Sequence, residues 1–295
     1  MRKVGRLLAA LVALALLALT PFLALPGTTA RARHGSVRAP SSSRLSVLGY
    51  HAIDDLSGDA VLEKYSVPPA RFAEQLDYLS ERGWTFVSLD RAIASFDGGP
   101  ALPARAVLLT FDDAYVDLLE AAAPVLSARG IPAVAFAVAG RLGGTNVWDS
   151  ENGATSLELL DADGLRKVAD RGIEVGAHTV NHRSLTEIPA DELEAEIAGA
   201  AELLEQAGLP RPRAFSYPYG SWDERVAQVV REAGYEVAFT VDRGLVEGGT
   251  DLHALPRIAV HVDDTPRKLH AKLAVARRPR LRAALSRLRS LRSRV

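Results

Sequence analysis

Short apolar runs alternate with amphipathic helical stretches through most of the 295-residue chain. The runs are Ser46–His51, Thr85–Ser88, Ala106–Phe111, Ala133–Val138, Ile173–Ala177, Ala214–Tyr217, Val237–Thr240 and Arg257–Val260. Several lack a polar residue at alternate positions, as expected of strands covered on both faces of a parallel sheet. Between them the spacing predicts helices over Pro69–Arg82, Val116–Arg129, Ala162–Arg171, Asp191–Ala207 and Glu224–Ala233. Asp191–Ala207 has the clearest apolar face, Leu193, Ile197, Ala200 and Leu204, and each helix is followed by a glycine stop. Strand and helix alternating this often imply an α/β fold with a parallel sheet closed into a barrel, as a single catalytic domain.

The ends differ from this middle. Arg2, Lys3 and Arg6 precede an uncharged apolar run from Leu7 to Leu25, followed by Ala30-Arg31-Ala32. That is the pattern of an export signal, or of a membrane anchor if it is not removed. Residues 1–32 are therefore read as signal peptide or anchor, 33–43 as a linker, 44–265 as the catalytic domain and 266–295 as a basic amphipathic tail. Residues 1–40 hold six Lys/Arg and no acid, and 265–295 hold eleven and no acid. All 36 acids thus fall in 41–264, whose formal charge is about −18. Such a core excludes nucleic acid as a partner. The basic tail, with Leu281, Leu285, Leu288 and Leu291 at helical spacing, suits either a docked helix or an anionic membrane or cell-wall polymer. The chain has no cysteine, so any metal must be held by His and carboxylate.

Four polar clusters close predicted strands. Asp112 and Asp113 follow Ala106–Phe111; an acid there is by itself as well explained by helix capping. His178 and His182 follow Ile173–Ala177, four residues apart and able to share one ion, and Asp113 would complete a His₂-Asp set with open positions for water and substrate. Tyr217-Pro218-Tyr219-Gly220 follows Ala214, either as a simple turn or as a rigid loop that offers a backbone N–H to an oxyanion. Gly49-Tyr50-His51 ends the first strand. Trp148 and Trp222 are candidate sugar-stacking residues, although core packing is the commoner fate of tryptophan.

Thr110-Phe111-Asp112-Asp113, His178-Thr179-Val180-Asn181-His182 and Tyr217-Pro218-Tyr219-Gly220, in this order over residues 45–262, resemble the polysaccharide deacetylases of carbohydrate esterase family four. Leu48-Gly49-Tyr50-His51 resembles more narrowly its poly-N-acetylglucosamine deacetylase branch, in which the strand order is permuted. The resemblance implies a distorted (β/α)7 barrel and hydrolysis of N-acetyl groups on an exported polysaccharide. It implies a divalent metal, zinc by preference, on Asp113, His178 and His182, with Asp112 as base, His51 as acid and the Tyr219 N–H as oxyanion donor. Two departures stand out. Ser216 occupies the place of an arginine that orients the base, for which Arg257 is the candidate replacement, and the late histidine motif is reduced to His261, a rival to His51. Acetylxylan-type ester cleavage and a non-catalytic polysaccharide-binding barrel are the alternative readings.

Overall fold

A computed structural model describes residues 38–40 and 43–278; the N-terminal apolar run, most of the linker and the leucine-arginine repeat lie outside them. The elements are β1 (Arg44–Tyr50), α1 (Pro69–Glu81), β2 (Thr85–Phe86), α2 (Leu89–Phe96), β3 (Ala106–Phe111), α3 (Ala123–Arg129), β4 (Ala133–Ala137), α4 (Val147–Ser150), α5 (Ala162–Ala169), β5 (Ile173–Ala177), α6 (Ala190–Gln206), β6 (Ala214–Ser216), α7 (Glu224–Glu232), β7 (Val237–Arg243), β8 (Val246–Glu247), β9 (Leu255–Ala259) and α8 (Pro266–Ala276).

The strands β1, β3, β4, β5, β6, β7 and β9 form a closed parallel ring, because β1 pairs with β3 on one side and with β9 on the other. The expected seven-stranded barrel is thus borne out, and its distortion has a local cause. At the start of β3, β2 lies beside Ala106 and Val107, and β4 takes over only from Leu109. At the start of β1, β8 runs antiparallel beside Arg44 and Leu45, while β9 pairs only at Leu48 and Gly49. Two short strands therefore fill places that full-length ring strands would occupy.

Period-two alternation divides each strand between two apolar clusters. Leu48, Tyr50, Val107, Leu109, Phe111, Ala133 and Ala135 face the helices. Leu45, Val47, Ala106, Leu108, Val134, Phe136, Ala214, Phe239 and Leu255 belong to the second cluster and fill the barrel. Followed along the strands, this inner row turns from apolar to polar: Val47 leads to Gly49 and His51, Leu108 to Thr110 and Asp112, Ala214 to Ser216, Leu255 to Arg257. The polar end is the C-terminal rim, where barrel enzymes carry their chemistry.

The helices start and stop where side chains satisfy their free ends. Ser88, Asp161 and Asp223 accept hydrogen bonds from the N–H groups of Arg91, Gly164 and Val226 at 3.1, 2.7 and 2.8 Å. Gly130 ends α3 in the left-handed region at φ 61°. The helix expected over Val116–Arg129 is broken into a π-helical turn, Leu118–Ala122, and α3. Pro124 accounts for this: it has no N–H to give and its ring crowds the preceding turn. The helix α2 and the strand β8 were not expected, and β9 begins two residues earlier than the apolar run does.

The segment read as a tail opens with α8, whose Leu269 and Leu273 are fully buried. Gln75 on α1 donates to the Asp264 carbonyl just before α8 at 2.6 Å and accepts from the Tyr50 hydroxyl at 3.0 Å. Residues 266–276 thus pack on the barrel. Among the described residues, no helix is long and apolar enough to cross a membrane.

Candidate active site

Asp112 leaves β3 pointing into the barrel, buried, and meets Arg257 from β9. The guanidinium grips both carboxylate oxygens, Nη1 to Oδ1 and Nη2 to Oδ2, each at 2.8 Å. Its other donors are also used: Nε on the Thr240 carbonyl at 2.9 Å, Nη1 on Thr110 Oγ1 at 3.2 Å, Nη2 on Ser216 Oγ at 3.0 Å. Ser216 Oγ in turn donates to Asp112 Oδ1 at 3.1 Å. Ser216, the departure noted in the sequence, joins this clamp instead of leaving a gap. In ring order β9 and β3 are separated by β1, and Gly49 on β1 is what Arg257 passes over. A Cβ there would already stand 3.6 Å from Nε and Nη1, so any larger side chain would obstruct the arginine. Burial by itself would raise the Asp112 pKa, but the Arg257 charge, with His178 and His51, holds it well below the usual carboxylate range.

The Asp113 side chain turns towards two histidines. Its Oδ1 lies 3.6 Å from His178 Nε2 and 3.3 Å from His182 Nε2, with all three residues buried. His178 Nδ1 is 2.7 Å from the Ser216 carbonyl, which can only accept, so Nδ1 carries the proton. Burial pushes the His178 imidazole down to about 4 despite Asp112 and Asp113 nearby, so the ring is neutral at pH 7. Its Nε2 lone pair therefore faces a carboxylate oxygen that has no hydrogen-bond partner of its own. Two buried acceptors confronting one another call for a cation between them. The spacing agrees, since donors ~2.0–2.1 Å from one tetrahedral ion lie roughly 3.4 Å apart. The residues present fit a divalent metal bound through two nitrogens and one oxygen.

Tight turns hold these groups. Five non-glycine residues among the described ones have positive φ: Asp113, Ala114, Thr179, His182 and Tyr219. All lie in the three loops that follow β3, β5 and β6, and residues held so usually mark functional sites. Thr179 Oγ1 accepts from the His182 N–H at 2.8 Å. Glu196, buried on α6, accepts from the Val180 and Asn181 N–H groups at 3.1 and 2.9 Å and from Asn181 Nδ2 at 2.9 Å. Sequence reasoning missed Glu196; the signal was a charge between Leu193 and Ile197 on the apolar face of its helix.

His51 reaches the same rim from β1, with Nε2 3.7 Å from Asp112 Oδ2. Its ring packs against Tyr65 at 5.1 Å, and Tyr65 in turn packs against His261 at 5.9 Å. His261 thus lies one ring further out, beside Asp263 and Asp264. Tyr219 sits in the turn Pro218–Gly220 at φ 58°, its exposed ring edge-on to His182 with centroids 4.6 Å apart. Trp148, on α4, also stacks on His182, centroids 4.2 Å apart and planes 19° from parallel. Trp222 stacks instead on Tyr217 and donates to Asp242.

Comparison with known proteins gives a consistent result. A family model described as polysaccharide deacetylase matches residues 99–238. The poly-beta-1,6-N-acetyl-D-glucosamine N-deacetylase of Staphylococcus epidermidis is 26% identical over 217 residues, 70% of this chain and 72% of that protein. The structure of IcaB from Ammonifex degensii superposes with a TM-score of 0.67 at 26% identity, covering 80% of this chain and 99% of that one. The Streptococcus pyogenes deacetylase PplD, solved with acetate, shares the fold with a TM-score of 0.67 at 22% identity, over 78% of this chain and 98% of its own.

Proposed function

The chain belongs to the polysaccharide deacetylase family, and from that premise we propose that it removes N-acetyl groups from a polymer of N-acetylglucosamine, releasing acetate and leaving free amino sugars. The observation that carries the reading is the union at one rim of a buried Asp-His-His set with a second aspartate clamped by Arg257. The amide substrate class is supported by the name of the S. epidermidis relative.

Asp113, His178 and His182 would hold the metal, zinc by preference, since two imidazoles and one carboxylate with positions left open are a donor set of catalytic zinc sites. When bound, a divalent ion supplies Lewis acidity, polarising a carbonyl oxygen and acidifying water near neutral pH. Asp112 takes the proton of the water that adds to the acetamide carbonyl. Its pairing with Arg257 keeps it ionised and aimed, and keeps it from becoming a fourth ligand. The backbone N–H of Tyr219, fixed by its turn, donates to the developing oxyanion; one such donor is typically worth about 3 kcal/mol. His51, beside Asp112, gives a proton to the departing sugar nitrogen as the C–N bond breaks.

The apolar N-terminal run and its basic flank support action outside the cytoplasm. The arginine-rich C-terminus suits contact with an anionic membrane or wall polymer. Acetate release from N-acetylglucosamine oligomers tests the function. Release that stops with a chelator and returns with zinc is the expected result. Release from acetylated xylan alone would replace the amide reading with an ester one, and a folded chain inactive on both would leave only a binding role.

A further inference from the structure

The two histidines of the Asp-His-His set are held in different ways. His178 is anchored by a hydrogen bond, Nδ1 to the Ser216 carbonyl at 2.7 Å. That is the usual means of orienting a metal-ligating imidazole, since the second nitrogen donates to a carbonyl or carboxylate. His182 lacks it: its Nδ1 is buried and has no partner. Its ring is fixed by contact with two aromatic rings, Trp148 stacked at 4.2 Å and 19°, Tyr219 edge-on at 4.6 Å and 76°.

We propose that Trp148 is a positioning residue for the metal centre, taking over for His182 the orienting task that a hydrogen bond performs for His178. The inference rests on the metal reading above. His182 needs such a constraint more than His178 does, because it lies not on a strand but in a loop, at φ 60°. Without a constraint, its ring would be free to turn about χ2 and carry Nε2 away from Asp113.

The chain around Trp148 is built to hold the indole still. Trp148 packs with Ala52, Leu56, Tyr115, Leu157 and Leu159 in a small separate apolar cluster under the rim. Asn146, fully buried, clasps the base of its loop. Its amide accepts from the Leu157 N–H at 2.7 Å and donates to the Thr155 carbonyl at 3.2 Å, while its backbone N–H donates to the Leu157 carbonyl at 3.1 Å. Thr155 N–H is in turn bound by Asp59 Oδ2 at 2.6 Å, which ties the loop to the segment between β1 and α1. Tyr115 links the cluster to the Asp113 turn through its bridge with Leu159. The same packing that seats the half-buried Trp148 thus braces both Asp113 and His182.

The inference is tested by metal affinity, measured on the full chain by competition of zinc and cobalt with a chromophoric chelator. Native protein, Trp148→Phe, Trp148→Ala and His178→Ala are compared, each with its chelator-treated unfolding temperature as a check on folding. Trp148→Ala is expected to bind ~10–100-fold more weakly, the usual cost of losing an orienting contact, with a changed cobalt absorption spectrum. Trp148→Phe, which keeps a flat ring, should recover most of the affinity. Trp148→Ala binding metal as tightly as the native chain, or Trp148→Phe binding as weakly as Trp148→Ala while still folded, overturns the inference. A native chain that binds neither ion fails at the first comparison, and that result overturns the metal reading itself.

Discussion

As the proposed base, Asp112 meets two demands that pull against each other. A base must be ionised, and it must be willing to take a proton. The Arg257 clamp secures the first and weakens the second, so the proton is taken readily only from water that has been acidified. Replacing Asp112 by Asn is expected to lower turnover about 10²–10⁴-fold while zinc binding survives, whereas His178→Ala loses both; activity and metal content measured together check the pair. Arg257→Ala leaves a carboxylate buried without its counter-charge, a loss typically of about 3–5 kcal/mol. It also lets the Asp112 pKa rise, so the acid limb of the rate profile should move to higher pH in any folded fraction. Of the two candidate acids, His51 is the one beside Asp112. His51→Ala should slow amide cleavage by decades, and His261→Ala should not, as parallel assays on N-acetylglucosamine oligomers would show.

The β5 strand and its following turn show how an element fixes a proposed ligand. Gly176 precedes His178 by two residues, so both face the barrel interior. A Cβ at Gly176 would stand 2.6 Å from the Phe136 ring and 2.9 Å from the Ala214 carbonyl. Gly176→Ala is therefore expected to cost about 1–3 kcal/mol of stability and to displace His178, seen as a lower unfolding temperature and weaker zinc binding. Glu196→Ala would strip the Asn181 N–H and Nδ2 of their acceptor and leave the Val180 N–H only the backbone carbonyl of residue 196, with a similar cost of about 1–3 kcal/mol. The strand ends were legible in the sequence because apolar runs stop where the inner row turns polar; Asp112, Asp113, His178, His182 and His51 all stand there. Arg257 was legible only by default, as a basic residue near the last strand. That β9 already begins at Leu255 was hidden because a buried arginine interrupts the apolar pattern that marks a strand. The strand β2 lies within the run Thr85–Ser88, whereas β8 pairs through only two residues, too few to leave a periodicity, and the π-turn before α3 follows from Pro124 only once the neighbouring strand fixes where that helix must lie.

Taken as a whole, the barrel depends on pieces from both ends of the described chain. Leu273 on α8 is fully buried against the rest, so Leu273→Ala should cost about 2–5 kcal/mol, measured by denaturant unfolding. Acidity gives a second handle. His178 has a pKa of about 4 in the folded chain against roughly 6.5 when unfolded. The folded state thus binds fewer protons between these values, and its stability is full above the upper one and falls as pH drops towards the lower. In the chelator-treated chain the unfolding temperature should decline across that window, and His178→Gln should flatten part of the decline.

The seam of the ring lies between β1 and β9, where Leu48 meets Ile258 and Gly49 meets Ala259. The strand at the head of the ring must therefore await the last one, a contact between distant points of the chain that makes folding slow. The Arg257–Asp112 clamp straddles that seam. A chain with most of its helices formed but the ring still open thus leaves the proposed base, Asp112, unclamped. Catalysis doubles as a report of completed topology: on refolding, acetate release should return with the slowest phase, after the helical signal has already recovered.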